Sequence, residues 1–391
     1  MNSMYFTEEH HLFRKSLQDF LKKEVVPHIE TWENTGTIDR DIWTKFGEMG
    51  FFGIAYPEAY GGLNLDLFYT IILLEELQKI NSGGFAAAIW AHAYLAMTHL
   101  NAEGNDDIKE RYLAPSITGE KIGCLCITEP FGGSDVAGMR STAVKKDDHY
   151  VLNGSKTFIT NGVYSDYLIV AAKTTPELGN KGVSIFVVDR ETTGVSATKL
   201  NKLGWRASDT GEIAFDNVKV PVKNLLGDEN KGFSYIMQHF ALERLIMGVN
   251  AHARAEYALE YALQYMSERQ AFGKSIDQFQ ALRHKIADLY TDVEICKEFN
   301  YSVTHRLNRG EYVVKEATMS KLKTTKVADE VIYECLQFLG GYGYMEDYPM
   351  ARLLRDSRLG PIGGGTSEIL REILAKIIID KKEYKPATKN K

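Results

Sequence analysis

What the chain lacks narrows it first. Four cysteines, Cys124, Cys126, Cys296 and Cys335, are spread over 391 residues with no CxxC pair, too few for a disulfide framework. Cys124 and Cys126 stand two apart, on one face of an expected strand, as small core residues. Positive charge is not in excess. A net charge of −6 argues against a nucleic-acid-binding surface and a polybasic membrane patch. The most apolar run, Phe85 to Met97, is thirteen residues long and interrupted by His92. That is too short for membrane insertion and reads as a buried helix. The N-terminus MNSMYFTEEHHLFR is polar and acidic, without the pattern of a signal peptide, and the chain reads as cytoplasmic. There is no GxGxxG after a strand, no GxxxxGK(S/T), no HExxH and no GxSxG. Histidines are scattered apart from His10–His11 in a terminal helix, so no metal site is expected. Repeats and low-complexity segments are absent too.

What is there is ordinary globular material, 25% charged and 44% hydrophobic, long enough for two or three domains. Residues 1–120 read as helical. Thr7 caps a helix through Leu12, Leu17 and Phe20, and Asp39 caps one carrying Trp43, Phe46 and Met49. Asp66 opens a third through Ile71, Leu74 and Leu77, stopped by Asn81-Ser82-Gly83-Gly84. Two more follow at 86–100 and 107–117. Over 121–222 the period changes to that of strands, at 121–128, 138–146, 149–159, 166–173, 182–189 and 211–220. A hairpin turn is expected at Asn153-Gly154, in an antiparallel sheet or barrel. From 223 to 391 the chain is helical again, proline-free between Pro221 and Pro349. Amphipathic patterns over 232–268, 278–308, 312–339 and 365–379 describe a four-helix bundle. The tail from Lys381, with five lysines, reads as a disordered basic end. The fold class is α+β.

One stretch of the bundle stands out. In FSYIMQHFALERLIM, residues 233–247, Ile236, Phe240 and Met247 form an apolar stripe in which Glu243 occupies a core position. A carboxylate there either finds a partner or has its pKa raised. Arg244 is adjacent, but i and i+1 side chains on a helix diverge. Two readings follow, a structural ion-pair member or a general base facing a cavity.

Three glycine-rich stretches follow strand or helix ends: Thr128–Asp135, Gly340–Gly343 and Gly363–Glu368. The last precedes a helix whose exposed N–H groups suit an anion. Singly each is more often a turn; together they let backbone approach something large and flat.

With Ile127–Pro130, Gly133–Asp135, Phe158–Thr160, Arg269–Gly273, Leu339–Tyr344 and Gly365–Glu368 in this order, the chain from about 5 to 380 resembles the acyl-CoA dehydrogenases. That resemblance implies an N-terminal α-domain, a middle β-domain and a C-terminal bundle holding FAD without a dinucleotide-binding fingerprint. It places Leu125, Ile127, Thr128, Gly133, Ser134, Phe158, Ile159 and Thr160 against the flavin. Arg269, Phe272, Gln280, Gln337, Gly340 and Gly341 would reach the FAD of a neighbouring subunit, and Thr366 and Glu368 meet FAD at the last helix. Sharing cofactors implies a homo-oligomer, a dimer or a dimer of dimers. Implied chemistry is oxidation of an acyl-CoA thioester to its trans-2-enoyl-CoA, with electrons passed to an electron-transfer flavoprotein, as in fatty acid β-oxidation. Ser134, Arg244, Gly364 and Gly365 would contact substrate.

One departure matters. Where many members carry the catalytic glutamate, this chain has Gly364. A subset resembling isovaleryl-CoA and long-chain acyl-CoA dehydrogenases places the base on the first bundle helix in a Glu-Arg pair, here Glu243-Arg244. The resemblance thus turns the choice towards Glu243 as base. Gly364 leaves room for it and keeps an N–H for the thioester carbonyl. The alanines of Gly84–Trp90 would leave volume for medium-to-long or branched acyl chains. Two alternatives use the same scaffold: an acyl-CoA oxidase or flavin monooxygenase, which releases peroxide or consumes O₂, and a non-catalytic acyl-CoA-binding protein, which purifies without flavin.

Overall fold

A computed structural model describes residues 4–384. Its first part is α-helical: α1 (Glu8–Phe20), α2 (Ile29–Thr35), α3 (Arg40–Glu48), α4 (Leu67–Lys79), α5 (Gly83–Ala91), α6 (Met97–Glu103), α7 (Asp106–Ile108) and α8 (Ala114–Ile117). The expected caps are in place. Thr7 accepts from the His10 N–H while the His10 ring takes the Thr7 N–H, and Asp66 accepts from Phe68 N. Asp39 holds the cap position of α3 without a side-chain bond. Trp43 and Phe46 are buried, whereas Met49 is 44% exposed.

One local expectation needs correction. Gly83 and Gly84 do not stop a helix; they begin α5, with Ser82 as its cap. A Cβ on Gly84 would stand 2.7 Å from the Trp205 carbonyl carbon, so these glycines serve close packing against the Trp205 loop. His92, the polar interruption in the apolar run, opens a π-helical turn (His92–Ala96). It accepts from Gly123 N (3.0 Å) and faces the Ser116 carbonyl at 3.2 Å. That tautomer ties the helical layer to the first strand, and burial holds the ring's pKa down to about 4.

The sheet comprises β1 (Gly123–Cys126), β2 (Thr142–Lys146), β3 (His149–Ile159), β4 (Tyr167–Lys173), β5 (Val183–Asp189), β6 (Val195–Lys199), β7 (Gly211–Pro221) and β8 (Leu225–Leu226). Their order is β6-β7-β3-β2-β4-β5-β8, with β1 beside β4. Pairing is antiparallel except β1 with β4 and one contact of β2 with β4. The hairpin expected at Asn153-Gly154 is absent. β3 runs straight through, and Gly154 marks a register shift against β7, where a Cβ would collide with Ser141. The turn lies at Asp147-Asp148, between Lys146 and its partner His149. β6 escaped sequence reading because its five residues are half-buried or exposed at the sheet edge.

After the sheet come α9 (Gly232–Glu268), a small hairpin β9 (Gln270–Ala271) and β10 (Lys274–Ser275), α10 (Gln280–Asn308), α11 (Val314–Leu339), α12 (Pro349–Ser357) and α13 (Ser367–Ile378). The four long patterns match α9, α10, α11 and α13. Unanticipated α12 packs against α11 and α5. The basic tail lies outside the described residues from 385 onwards. No described helix is long and apolar enough to cross a membrane.

Candidate functional site

Helix α9 presents Ile236 and Met247 to the core, and Glu243 lies between them, half-buried. A Cβ built on Gly364 would sit 3.2 Å from Glu243 Oε1, 3.5 Å from Lys321 Cε and 3.5 Å from Met247 Cγ. The carboxylate therefore reaches the space a side chain at 364 would enter. Gly364 has φ +60, a left-handed conformation that glycine adopts freely. Among the described residues its N–H has no hydrogen-bond partner. Desolvation pushes the Glu243 pKa up, opposed by the charges of Arg244 and Lys321.

Lys321, fully buried on α11, is a residue that sequence reading missed. Its Nζ donates to the Gly365 carbonyl at 2.5 Å. Burial lowers its pKa to about 8, with Glu243 pulling upward and Arg244 pushing further down. Arg244 turns away from Glu243, as i, i+1 geometry requires, to Thr318 Oγ1 (3.4 Å) and the Phe240 ring.

A second group forms where β1 leaves the sheet. Thr157 N donates to the Thr128 carbonyl (2.9 Å). Buried Lys156 bonds Glu129 Oε1 (2.8 Å) and the Ile127 carbonyl (3.1 Å), while Glu129 also accepts from Arg140 N and Ser141 N. This clamp, invisible to sequence reading, fixes Leu125–Thr128 against Phe158–Thr160. Phe158, at φ +59, turns its ring outward and is 71% exposed, whereas Ile159 points inward. Gly133 and Ser134 lie exposed on the following loop.

A third group lines an open cleft of about 550 Å³, where Arg269, Gln337, Gly340 and Gly341 meet beside Tyr265 and Tyr342. Phe272 and Gln280 are not in it. Phe272 tips the β9–β10 hairpin, 96% exposed, and Gln280 is exposed at the start of α10. Thr366 caps α13 by accepting from Ile369 N (3.3 Å). Glu368 is solvent-facing and paired with Arg371 at 2.9 Å, so it does not share the Glu243 pocket.

The histidines are less scattered than their sequence positions. His99 (Nδ1 3.3 Å) and His239 (Nε2 2.9 Å) converge on Glu103, a grouping whose atoms could hold a metal ion. Its members lie on α6 and α9; Glu103, its pKa lowered against burial by both rings, accepts a hydrogen bond from His239 and lies within ion-pair distance of His99.

Helical layer, mainly antiparallel sheet and helical bundle, with a shielded carboxylate facing a glycine loop, define a known class of oxidoreductase. Family models for the acyl-CoA dehydrogenase N-terminal, middle and C-terminal domains match residues 7–120, 124–218 and 230–379. The chain belongs to the acyl-CoA dehydrogenase family, whose members are FAD-dependent oxidoreductases. It is 37% identical to the mitochondrial long-chain specific acyl-CoA dehydrogenase of Mus musculus, over 96% of this chain and 87% of that one. It is 37% identical to the mitochondrial isovaleryl-CoA dehydrogenase of Arabidopsis thaliana, over 96% and 92%. The crystal structure of an acyl-CoA dehydrogenase from Geobacillus kaustophilus superposes with a TM-score of 0.94 at 39% identity, covering 97% of this chain and all of that one.

Proposed function

We propose that this protein dehydrogenates an acyl-CoA thioester to its trans-2-enoyl-CoA, with Glu243 as general base and electrons leaving to an electron-transfer flavoprotein. The observation that carries this is the approach of Glu243 Oε1 to within 3.2 Å of where a residue-364 side chain would begin. A carboxylate with a raised pKa, shielded by apolar neighbours, is suited to removing a weakly acidic α-proton near neutral pH. The unpartnered Gly364 N–H is available to the thioester carbonyl, stabilising negative charge as the proton leaves.

The residues fit a long, flat cofactor. Phe158 offers an outward ring beside Thr128, and Gly340 and Gly341 have nothing within 4 Å of a built Cβ, leaving their backbone approachable. Leu125–Ser134, Phe158–Thr160 and Thr366 would hold the ring-bearing half of FAD. Arg269, Gln337, Gly340 and Gly341, with Phe272 and Gln280 nearby in sequence, would hold a neighbour's. When bound, FAD supplies the acceptor for the hydride from the β-carbon. Lys156 and Glu129 keep the β-side wall in place, and Lys321 holds the Gly365 carbonyl, and with it the loop opposite the base. Ser134 and Gly365 would contact the substrate. The domain division that goes with this is 1–120, 121–222 and 223–391.

Acceptor-coupled turnover of an acyl-CoA panel tests the activity. Glu243→Gln should lower kcat by about 10²–10⁴-fold while the protein keeps its flavin and fold. Near wild-type turnover by that variant would remove Glu243 from the mechanism. Adding Glu to the loop in the double change Glu243→Gly, Gly364→Glu should recover part of the rate.

A further inference from the structure

The cluster of His99, Glu103 and His239 takes no part in the proposed dehydrogenation. His99 and Glu103 stand four apart on α6, so both side chains leave one face of that helix, and His239 reaches them from α9. The backbone beneath is pinned. The Glu103 carbonyl accepts from Gly227 N (3.0 Å), which ties the end of α6 to the chain leaving β8. The cluster is nearly closed, with side-chain exposures of 2% for His99, 7% for Glu103 and 17% for His239. His239 thus gives the entry from solvent.

The charges there do not balance. Among the described residues no lysine or arginine lies within ion-pair distance of Glu103; its partners are two imidazoles, which carry charge only when protonated. Other buried carboxylates meet fixed cations: Glu75 and Glu76 have Arg14, and Glu129 has Lys156. His239 Nε2 takes one Glu103 oxygen at 2.9 Å. The second oxygen, Oε2, lies 3.3 Å from His99 Nδ1, yet both atoms are buried and neither has a hydrogen-bond partner. They stand side by side rather than aimed at one another. Buried polar atoms left in that state are costly, and a cation between them satisfies both.

Size and chemistry select the ion. One ligand atom from each of the three residues lies within 4.8 Å of the other two. Small side-chain rotations then bring all three to the ~2.0–2.2 Å at which imidazole and carboxylate hold zinc. Two nitrogens and an oxygen are a donor set for a first-row divalent ion, whereas Mg²⁺ and Ca²⁺ favour oxygen.

We propose that His99, Glu103 and His239 form a zinc-type metal site that clasps the end of α6 to α9, with a fourth position left for water. The ion's role is structural. His239 and Glu243 lie four apart on α9, so the clasp holds that helix one turn ahead of the residue proposed as base. Sequence spacing hid the site because its second histidine comes 136 positions after Glu103.

The test uses flavin-loaded protein freed of adventitious metal by chelator and dialysis. It is titrated with zinc chloride by calorimetry, and with magnesium chloride for comparison. One zinc ion per chain should bind with a Kd of about micromolar or below, at least about 100-fold tighter than magnesium. His239→Gln removes a ligand but keeps a hydrogen-bond donor for Glu103, and Glu103→Gln removes the charge. Each should weaken zinc by more than the ~10–100-fold that a supporting residue costs. Zinc should raise the thermal midpoint of the wild type, as binding to the folded state requires, and leave that of His239→Gln unmoved. The exposed His11, changed to Gln, is the control and should keep both responses. Wild-type protein that takes up no zinc in one-to-one ratio at these concentrations overturns the site whatever the variants do. So does uptake undiminished by His239→Gln, which leaves the three residues a hydrogen-bonded ion pair only. Equal loss from His11→Gln places the ion elsewhere and overturns it too. Binding is read without turnover, so these outcomes are independent of the acyl-CoA panel.

Discussion

Lys321 shows how much one buried cation can set. Its charge acts on Glu243 and lowers the cost of ionising the carboxylate that burial otherwise raises. Removing it should leave that carboxylate with a still higher pKa. Lys321→Met is therefore expected to move the acid limb of the kcat/KM–pH profile upward. The base must be deprotonated, so activity is lost as pH falls through its pKa, and a higher pKa loses it sooner. A merely structural lysine would lower activity at all pH values without moving the limb, which separates the two roles. Glu243 itself was legible as an anomaly, a charge in an apolar stripe, but the stripe could not say what faced it. Lys321 sits 78 positions away in sequence, and nothing local to MSKLKTTK marks it as buried.

At the scale of elements, periodicity located the long helices closely because amphipathic repeats over twenty or more residues leave little choice. It failed where tertiary contact overrode local signals. Asn-Gly usually turns a hairpin, yet Gly154 sits within β3 in a close approach to Ser141. Gly-Gly commonly ends helices, yet Gly83 and Gly84 open one because Trp205 lies against them. Ala86, Ala87 and Ala88 of α5 have no exposure, and Asn161 Nδ2 bonds the Ala88 carbonyl (2.9 Å). Their small size thus serves packing first. His92 couples the helical layer to β1, and that coupling has a pH signature. Its pKa falls from 6.5 to about 4 on folding, so the unfolded chain binds more protons between those values. Stability is complete above about 6.5 and is lost as pH falls towards 4, by up to ~3 kcal/mol. Urea midpoints measured across that range should decline, and His92→Gln should flatten the decline.

At the scale of the whole molecule, the most exposed large apolar side chain among the described residues is Phe272, at the tip of a hairpin that follows Arg269 directly. The proposed sharing of cofactors would put that tip in a contact between subunits. Arg269→Ala is expected to lower flavin content and oligomer stability together, and Phe272→Glu to lower oligomer size, both measurable by light scattering with the flavin absorbance read alongside. Unchanged mass and flavin in both variants would count against shared cofactors. α9 joins the two places concerned. Glu243 and Arg269 lie twenty-six residues apart on or at the end of one uninterrupted helix, roughly 39 Å by its rise. A rod of that length cannot serve both its ends from one pocket, so if a cofactor is gripped by two chains, each helix belongs to two pockets at once. Thermodynamic reciprocity then applies. The first flavin to bind draws two subunits together and thereby half-assembles the second position, and reconstitution of stripped protein becomes sigmoidal in flavin concentration, steeper as the protein is diluted.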